Sequence, residues 1–186
     1  RRLTTMRERY LEGEKVFLSP VEETDVSVLR EIENQGFVRA FMSSCLPQTD
    51  ADVLADIKST KASGSPYFLI FKKTVPPTEK EVTVGYVKLE ILSNIIRAAE
   101  IHIAISQDFT KYGYGKEVIK LITDYAFQDL NIHSIRALIR AKNEASMKVF
   151  ESQGYQKVGT LPEWSFYDGN YQDCHIYDII PRFLKR

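Results

Sequence analysis

The pattern of apolar and polar positions predicts an alternation of short strands and amphipathic helices. Strands are indicated where apolar residues alternate with polar ones or form short continuous runs. These segments are residues 15–21, 67–73, 82–92, 99–106, 134–140 and 155–160, followed by two strands that flank Asp168–Gly169. Helices are indicated where apolar residues recur every three or four positions. These segments are residues 22–35, 49–59, 115–130 and 144–153.

Turn residues indicate how these elements connect. Asp168–Gly169 lies between tyrosine-rich segments, a pattern that predicts a tight hairpin. Gly154 follows the last predicted helix, at the position where a left-handed residue often ends a helix. The polar stretch 74–80 predicts a solvent-exposed connection. The strands first form a mostly antiparallel meander and then alternate with helices, so the sequence predicts a mixed α/β sheet with helices packed on its faces.

Length and composition favour a single globular domain. The chain has 186 residues, of which 44% are hydrophobic and 27% are charged, and this is enough to form one core. We expect the domain to span residues 15–186, with residues 1–14 as an N-terminal extension or an artificially added end. Lys plus Arg and Asp plus Glu number 25 each, so no net charge favours nucleic acid or an anionic membrane. No apolar run approaches the roughly 20 residues that span a bilayer.

The two cysteines, Cys45 and Cys174, form no CxxC motif and no cluster with histidine. This pattern argues against a disulfide framework and against a structural zinc site, so no metal is expected. It favours a reducing cytoplasm as the compartment. Because neither cysteine has an activating neighbour in the sequence, each is interpreted as a structural thiol.

Residues 109–118, F-T-K-Y-G-Y-G-K-E-V, join a predicted strand to a predicted helix and contain two glycines one residue apart. Unpaired amides and the helix dipole favour an anion at a helix N-terminus. Gly113 and Gly115 carry no side chain, which lets phosphate oxygens reach the amides, and Lys111 and Lys116 add positive charge. Without further context, so short a motif is equally typical of a glycine turn that binds nothing.

A second segment, R-A-K-N-E-A-S-M-K-V-F-E-S-Q-G-Y at 140–155, follows thirty residues later. Asn143 lies between the end of a strand and the start of a helix, and Ser146 comes three residues after it. Considered alone, Asn143 is most simply an N-cap that accepts a hydrogen bond from an amide of the first helical turn.

Together the two segments resemble the GNAT superfamily of acetyl-CoA-dependent N-acetyltransferases. The shared pattern is strand, Q/R-x-x-G-x-G/A, helix, strand, N-x-x-S, helix and G-F or G-Y, and the resemblance extends from about Lys15 to the C-terminus. A-E-I-H-I-A-I-S-Q-D-F-T-K-Y-G-Y-G-K-E-V, N-E-A-S-M-K-V-F-E-S-Q-G-Y and S-F-Y-D-G-N-Y-Q-D-C-H-I-Y are most similar to the branch of the RimJ/RimL ribosomal-protein N-terminal acetyltransferases and the spermidine acetyltransferases. The resemblance implies the GNAT fold, an α/β (α+β) class with a mixed, mostly antiparallel central sheet and helices on both faces.

The resemblance also implies a site for acetyl-CoA as co-substrate. The coenzyme pyrophosphate would be bound by backbone groups of Lys111, Tyr112, Gly113, Tyr114 and Gly115. The main chain of Ile103 and Ile105 would pair with the pantetheine amides in place of a neighbouring strand. Asn143 and Ser146 would face the pantetheine arm and the thioester, and Ser146 would protonate the departing thiolate.

Three positions depart from the family pattern. Thr110 stands where Gln or Arg is usual and has less reach. Lys111 stands where many relatives have Gly, so this loop is expected to tolerate a Cβ there. Phe150 replaces a tyrosine that acts as general acid in several branches, and a phenyl ring cannot donate a proton.

Three residues are candidates for taking the proton of the amine. Glu100 opens the strand before the glycine motif, where the family resemblance places a glutamate. His102 lies two residues further on and hence on the same strand face, and an imidazole suits base catalysis near neutral pH. Glu163 lies near a catalytic glutamate of some relatives, although the register matches that residue to Ser165, with which Glu163 is expected to share a strand face. The alternative interpretation of Glu100 and of His102 is a structural role.

These observations predict an N-acetyltransferase that moves acetyl from acetyl-CoA to a primary amine by direct transfer in a ternary complex. The acceptor favoured by the hairpin and the N-E-A-S segment is a protein N-terminal α-amino group. The alternatives are a small amine, such as a polyamine or an amino sugar, and a non-catalytic acyl-CoA-binding module. A monomer or homodimer is expected, without a membrane or direct nucleic-acid partner.

Overall fold

One eight-stranded sheet runs through the computed structural model, which describes residues 7–42, 46–73 and 81–183. The strands are β1 (Leu11–Glu12), β2 (Val16–Pro20), β3 (Tyr67–Lys72), β4 (Val82–Ser93), β5 (Ala98–Ile105), β6 (Ser134–Arg140), β7 (Gln156–Tyr167) and β8 (Asn170–Ile179). Their order is β1-β2-β3-β4-β5-β6-β8-β7. Every neighbouring pair is antiparallel except β5 and β6. The mixed, mostly antiparallel sheet predicted from the sequence is thereby confirmed.

The described part of the chain forms five α-helices, which cover both faces of the sheet. They are α1 (Val26–Glu33), α2 (Gly36–Arg39), α3 (Asp50–Ala62), α4 (Tyr114–Gln128) and α5 (Glu144–Ser152). Apolar residues of α1, α2 and α3 form one core with the sheet, and those of α4 and α5 form a second core on the opposite face. The two cores divide the strands by alternation, since Ile101 belongs to one and Ala104 to the other.

Local signals in the sequence match the helix and turn boundaries. Thr49 caps α3 by accepting a hydrogen bond from the Asp52 N–H at 3.3 Å. Gly154 has a φ of 90° after α5, as a left-handed end residue does. Asp168 and Gly169 form the β7–β8 turn with φ of 50° and 74°. The four-residue helix α2 was not predicted because it is too short to show a period. The predicted connection 74–80 and Cys45 lie outside the described residues.

The β7 strand differs from the prediction. Residues assigned to two separate strands form one long strand whose register shifts between Leu161 and Ser165. Glu163 lies in this bulge with a φ of 49°. A bulge breaks the alternation of side chains, so the predicted strand face shared by Glu163 and Ser165 is wrong.

The parallel strands β5 and β6 separate, and this divergence positions the functional site. They pair only from Ala98 with Ser134 to Glu100 with Arg136. Beyond Glu100, the rest of β5 pairs only with β4 among the strands of the described ranges, and a wedge opens towards β6. Clefts therefore form in the middle of the sheet rather than at its edge.

Residues before Lys15 also contribute to the sheet. Leu11 pairs with Leu18 across β1 and β2, and the Tyr10 ring stacks on Phe68 with centroids 5.6 Å apart. No helix in the described ranges is long and apolar enough to cross a membrane.

Candidate active site

Two clefts meet in the wedge between β5 and β6. The larger has a volume of about 580 Å³, and the smaller has a volume of about 230 Å³. The residues that line both are Phe41, Met42, Ile103, Asn143 and Ser146. The clefts are therefore continuous, and a molecule in one would meet a molecule in the other beside the N-terminus of α5.

The larger cleft brings together most of the residues that were predicted to bind the coenzyme. Those among its lining residues are Ile103, Ile105, Lys111, Gly113, Tyr114, Gly115, Asn143 and Ser146. Tyr112 does not line the cleft. Its side chain is 59% exposed and stacks on the ring of Tyr114, with centroids 5.5 Å apart.

Residues 110–115, here called the glycine loop, present bare backbone to the larger cleft. Gly113 has a φ of 81° and is the N-cap of α4. A Cβ at Gly115 would make only an ordinary contact, 3.8 Å from Ile105, so packing within the protein does not require glycine there. Open amides at the start of a fifteen-residue helix fit a phosphate group.

The two unusual residues of the glycine loop have local structural roles. Thr110 Oγ1 donates a hydrogen bond to the Gln107 carbonyl at 2.9 Å and so closes the preceding turn. Lys111 has a φ of 69°, which costs a non-glycine residue about 1–2 kcal/mol. The loop does tolerate a Cβ at residue 111, but in a conformation that favours glycine.

The edge of β5 in the wedge carries the second predicted coenzyme contact. Its segment Ile101–Ile105 has β4 on one side and no strand pairing with β6 on the other. Ile103 and Ile105 lie in this segment and line the larger cleft. A linear amide chain there would take the place of a strand neighbour, which is the arrangement that the resemblance implies.

Asn143 and Ser146 stand where the clefts join. The Asn143 side chain accepts a hydrogen bond from the Ser146 N–H at 3.2 Å, so the N-cap interpretation is confirmed. Both residues are half-buried and line both clefts. The cap therefore also fixes two polar side chains at the junction of the clefts.

A histidine between two carboxylates lines the smaller cleft. His102 Nε2 lies 3.0 Å from Glu90 Oε2 and 3.5 Å from Glu100 Oε1. The other Glu100 oxygen accepts a hydrogen bond from Arg136 Nε at 2.7 Å. Glu100 is buried, Glu90 faces solvent, and the two are directly opposite across β4 and β5. The predicted common face of Glu100 and His102 is thus observed.

Buried apolar and thiol groups complete the smaller cleft. Phe150 is 2% exposed and packs edge-on against Tyr155, with ring centroids 4.9 Å apart. Cys174 is a free, buried cysteine in the same cleft. Its burial raises the pKa of the thiol, which keeps it protonated at neutral pH.

Glu163 lies apart from the other candidates. It is exposed, and its backbone N–H donates to Asp173 Oδ1 at 2.9 Å. It lines neither cleft, whereas the next two residues, Trp164 and Ser165, line the smaller one. The bulge in β7 accounts for this difference because it turns Glu163 away from its neighbours.

Arg140 and the segment that it holds were not identified from the sequence. Its buried guanidinium donates to the carbonyls of Ala40, at 2.9 Å, and Met42, and it lies 5.6 Å from the centre of the Tyr167 ring. The segment after α2 is thereby fixed at the mouth of both clefts, through Phe41 and Met42. Because these contacts join residues about a hundred positions apart, no local motif indicates them.

Among residues 7–42, 46–73 and 81–183, no group of three His, Cys, Asp or Glu side chains is arranged to hold a metal ion. The polar groups that line the clefts include a histidine, the Glu100 carboxylate, a serine and the backbone of the glycine loop.

Comparison with known proteins identifies the family. The sequence profile described as "Acetyltransferase (GNAT) domain" matches residues 15–156. An uncharacterized N-acetyltransferase, YoaA, of Bacillus subtilis is 23% identical over 173 residues, which cover 87% of this chain and 97% of that protein. The spermidine N(1)-acetyltransferase of Vibrio cholerae is 31% identical over 104 residues, 55% of this chain and 60% of that protein.

Among solved structures, spermidine N-acetyltransferase from Vibrio cholerae in complex with CoA and spermine has the same fold. The TM-score is 0.83 at 20% identity, and the match covers 93% of this chain and all of that one. An acetyltransferase of the GNAT family from Bacillus anthracis matches with a TM-score of 0.75 at 17% identity, over 91% of this chain and 97% of that one. The chain belongs to the GNAT acetyltransferase family and is an acetyl-CoA-dependent N-acetyltransferase.

Proposed function

We propose that the protein acetylates a primary amine of a polyamine such as spermidine. The observation that carries this proposal is the contact of His102 with two carboxylates: Glu100 lines the smaller cleft together with His102, and Glu90 lies 3.0 Å from the histidine ring. Negative charge close to a cleft attracts a cationic chain, and the aromatic side chains of Phe41 and Trp164 on its wall suit an ammonium group. Spermidine acetyltransferases among the similar proteins support the same acceptor.

In this proposal the larger cleft holds the coenzyme and the smaller cleft holds the amine. When bound, acetyl-CoA supplies the acetyl thioester. Asn143 and Ser146 line both clefts and would orient the thioester where they meet. Orientation of two bound reactants contributes as much as about 7–11 kcal/mol to catalysis, so few reacting side chains are needed.

His102 is the proposed base. With its Nε2–H donating to Glu90 at 3.0 Å, the neutral ring keeps the lone pair on Nδ1. Glu100 is less suited, because Arg136 holds one of its oxygens at 2.7 Å. We assign Glu100 and Glu90 to orienting the ring and attracting the ammonium group.

The amine nitrogen, once deprotonated by His102, forms a bond to the acetyl carbon as the C–S bond breaks. The electron pair of that bond leaves on sulfur, and Ser146 is the proposed proton donor to it. The second proton of the amine nitrogen, released as the amide forms, restores the Ser146 hydroxyl. Phe150 in the smaller cleft has no proton to give. No covalent enzyme intermediate is formed.

A protein N-terminal α-amino group, the acceptor that the sequence favoured, has less support. The relatives that match include spermidine acetyltransferases at 31% and 28% identity, and a putative ribosomal N-acetyltransferase matches at 26%. The reducing cytoplasm remains the proposed compartment, in line with a free Cys174.

The test is a panel of acceptors with release of the coenzyme thiol as the readout. We expect saturable turnover with spermidine and spermine, and kcat/KM at least about tenfold lower with N-terminal peptides and amino sugars, which lack a second ammonium group. Faster turnover of an N-terminal peptide would contradict the polyamine proposal. Coenzyme binding without turnover of any amine would favour a non-catalytic module.

A further inference from the structure

The turn between β1 and β2 lies against the first turn of α4, next to the glycine loop. Glu117 of α4 accepts hydrogen bonds from the backbone N–H of Glu14 and from that of Lys15, the second at 3.0 Å. Lys15 Nζ donates to the Tyr112 carbonyl at 3.3 Å. It also lies 3.4 Å from the position that a Cβ on Gly113 would take. A lysine from the start of the domain is thus held beside the open backbone of the glycine loop.

Gly13 indicates how closely this turn and α4 fit together. A Cβ at Gly13 would overlap the carboxylate of Glu117. The backbone of Gly13 is not left-handed, so close approach rather than backbone conformation explains the glycine. In this arrangement the Glu117 carboxylate accepts hydrogen bonds from two backbone N–H groups. These bonds reduce the repulsion between the carboxylate and an anion at the glycine loop.

We propose that Lys15 binds the diphosphate of the coenzyme and that Glu117 is the residue that positions it. The Lys15 ammonium contacts a carbonyl oxygen, which leaves two of its three donors for a ligand and does not neutralise its charge. A diphosphate at the glycine loop offers charged oxygens to those donors. The inference rests on coenzyme binding and is independent of the identity of the acceptor amine.

Calorimetric titration of the Lys15→Met variant tests the proposal without turnover. Three probes are used: CoA; dephospho-CoA, which keeps the diphosphate but lacks the 3′-phosphate; and pantetheine, which has no phosphate. We expect the Kd of CoA and that of dephospho-CoA to rise by the same factor, about two- to fivefold for an exposed charge-assisted contact. The affinity for pantetheine stays unchanged.

Lys58→Met is the matched control, because Lys58 is exposed on α3 at the opposite face of the sheet. It should leave all three affinities unchanged. Unchanged CoA affinity in Lys15→Met would overturn the proposal. An equal loss of affinity for pantetheine would also overturn it, because pantetheine has no diphosphate. A loss of affinity for CoA without a loss for dephospho-CoA would overturn it too, because that result would assign the contact to the 3′-phosphate.

The positioning role is tested by Gly13→Ala, alone and combined with Lys15→Met. The new Cβ displaces the Glu117 carboxylate, so CoA affinity should fall by a few-fold while pantetheine affinity does not change. If the turn affects CoA binding only by positioning Lys15, the double variant Gly13→Ala/Lys15→Met binds CoA with the same affinity as Lys15→Met alone. Additive losses would contradict this role, and they would leave the acceptor panel and its outcome unaffected.

Discussion

The two clefts are built in different ways. The larger combines the backbone of the consecutive residues of the glycine loop and the start of α4 with apolar side chains of α2, the segment after it, β5 and α5. The smaller is formed by side chains from β5, β6, α5, β7, β8 and the segment after α2. A backbone cradle depends on local conformation, whereas a side-chain cleft depends on which strands lie side by side. Coenzyme binding and amine selection should therefore respond to different substitutions.

The largest effect is expected from His102→Gln. It should lower kcat with spermidine by about 100-fold or more, because a general base contributes that much, and leave the Kd of CoA unchanged. It should also change the shape of the pH–rate profile, because the variant lacks the proposed base.

His175→Gln is the control, because His175 bonds Thr160 at 3.0 Å in the outer hairpin and lines neither cleft. It should leave kcat and the pH–rate profile as in the wild type. An unchanged pH–rate profile in His102→Gln would mean that another group takes the proton from the amine.

Gly113→Val should act on the other cleft. A β-branched residue at a φ of 81° is strained and blocks approach to the amides, so we expect CoA affinity to fall about 30- to 100-fold. Gly64→Val is matched for strain, with a φ of 73° and nothing within 4 Å of its Cβ. It should lower Tm similarly and leave CoA affinity unchanged; equal losses in both variants would mean that strain alone weakens binding.

Substitutions at Asn143 distinguish its role as the helix cap from its role in coenzyme binding. Asn143→Ala should lower the free energy of unfolding by about 1 kcal/mol, measured by urea titration, because the Ser146 N–H loses its acceptor. Asn143→Ser restores the cap and with it the stability. We expect Asn143→Ser still to bind CoA a few-fold more weakly, and full recovery of affinity would make Asn143 a cap only.

The smallest effect is expected from Cys174→Ala. Cys174 lines the smaller cleft, and burial raises the pKa of its thiol. The thiolate is therefore scarce at neutral pH, and kcat should stay within about twofold of wild type because no acetyl-cysteine forms. Alkylation by iodoacetamide should be slow at pH 7 and rise with pH. Loss of turnover in correctly folded Cys174→Ala would indicate a covalent route.

The parts of the fold and of the site that could be predicted from the sequence are those with local signals. The glycine loop, the Asn143 cap and the Asp168–Gly169 turn depend on residues close in the chain, and the structure shows a turn into a helix, an N-cap and a hairpin turn at these three places. The contact of His102 with Glu90 depends on the register of β4 against β5, which no spacing in either strand specifies.

Two further features were beyond prediction for the same reason. Arg140 holds the segment after α2 across about a hundred residues, and Glu117 holds the β1–β2 turn across a similar distance. The β7 bulge, by contrast, has a local signal: it places Glu163 at φ 49° directly after Pro162, and a proline inside a strand is typical of a bulge or an edge strand. Long-range contacts and bulges therefore account for most of the difference between the predicted and the observed site.

The most direct test of the two-cleft account is a crystal structure of the protein with CoA and spermidine. The account predicts the diphosphate at the glycine loop, the thiol sulfur beside Asn143 and Ser146, and an amine nitrogen in the smaller cleft near His102 and Glu100. Spermidine outside the smaller cleft, or a coenzyme thiol directed away from Ser146, would contradict it.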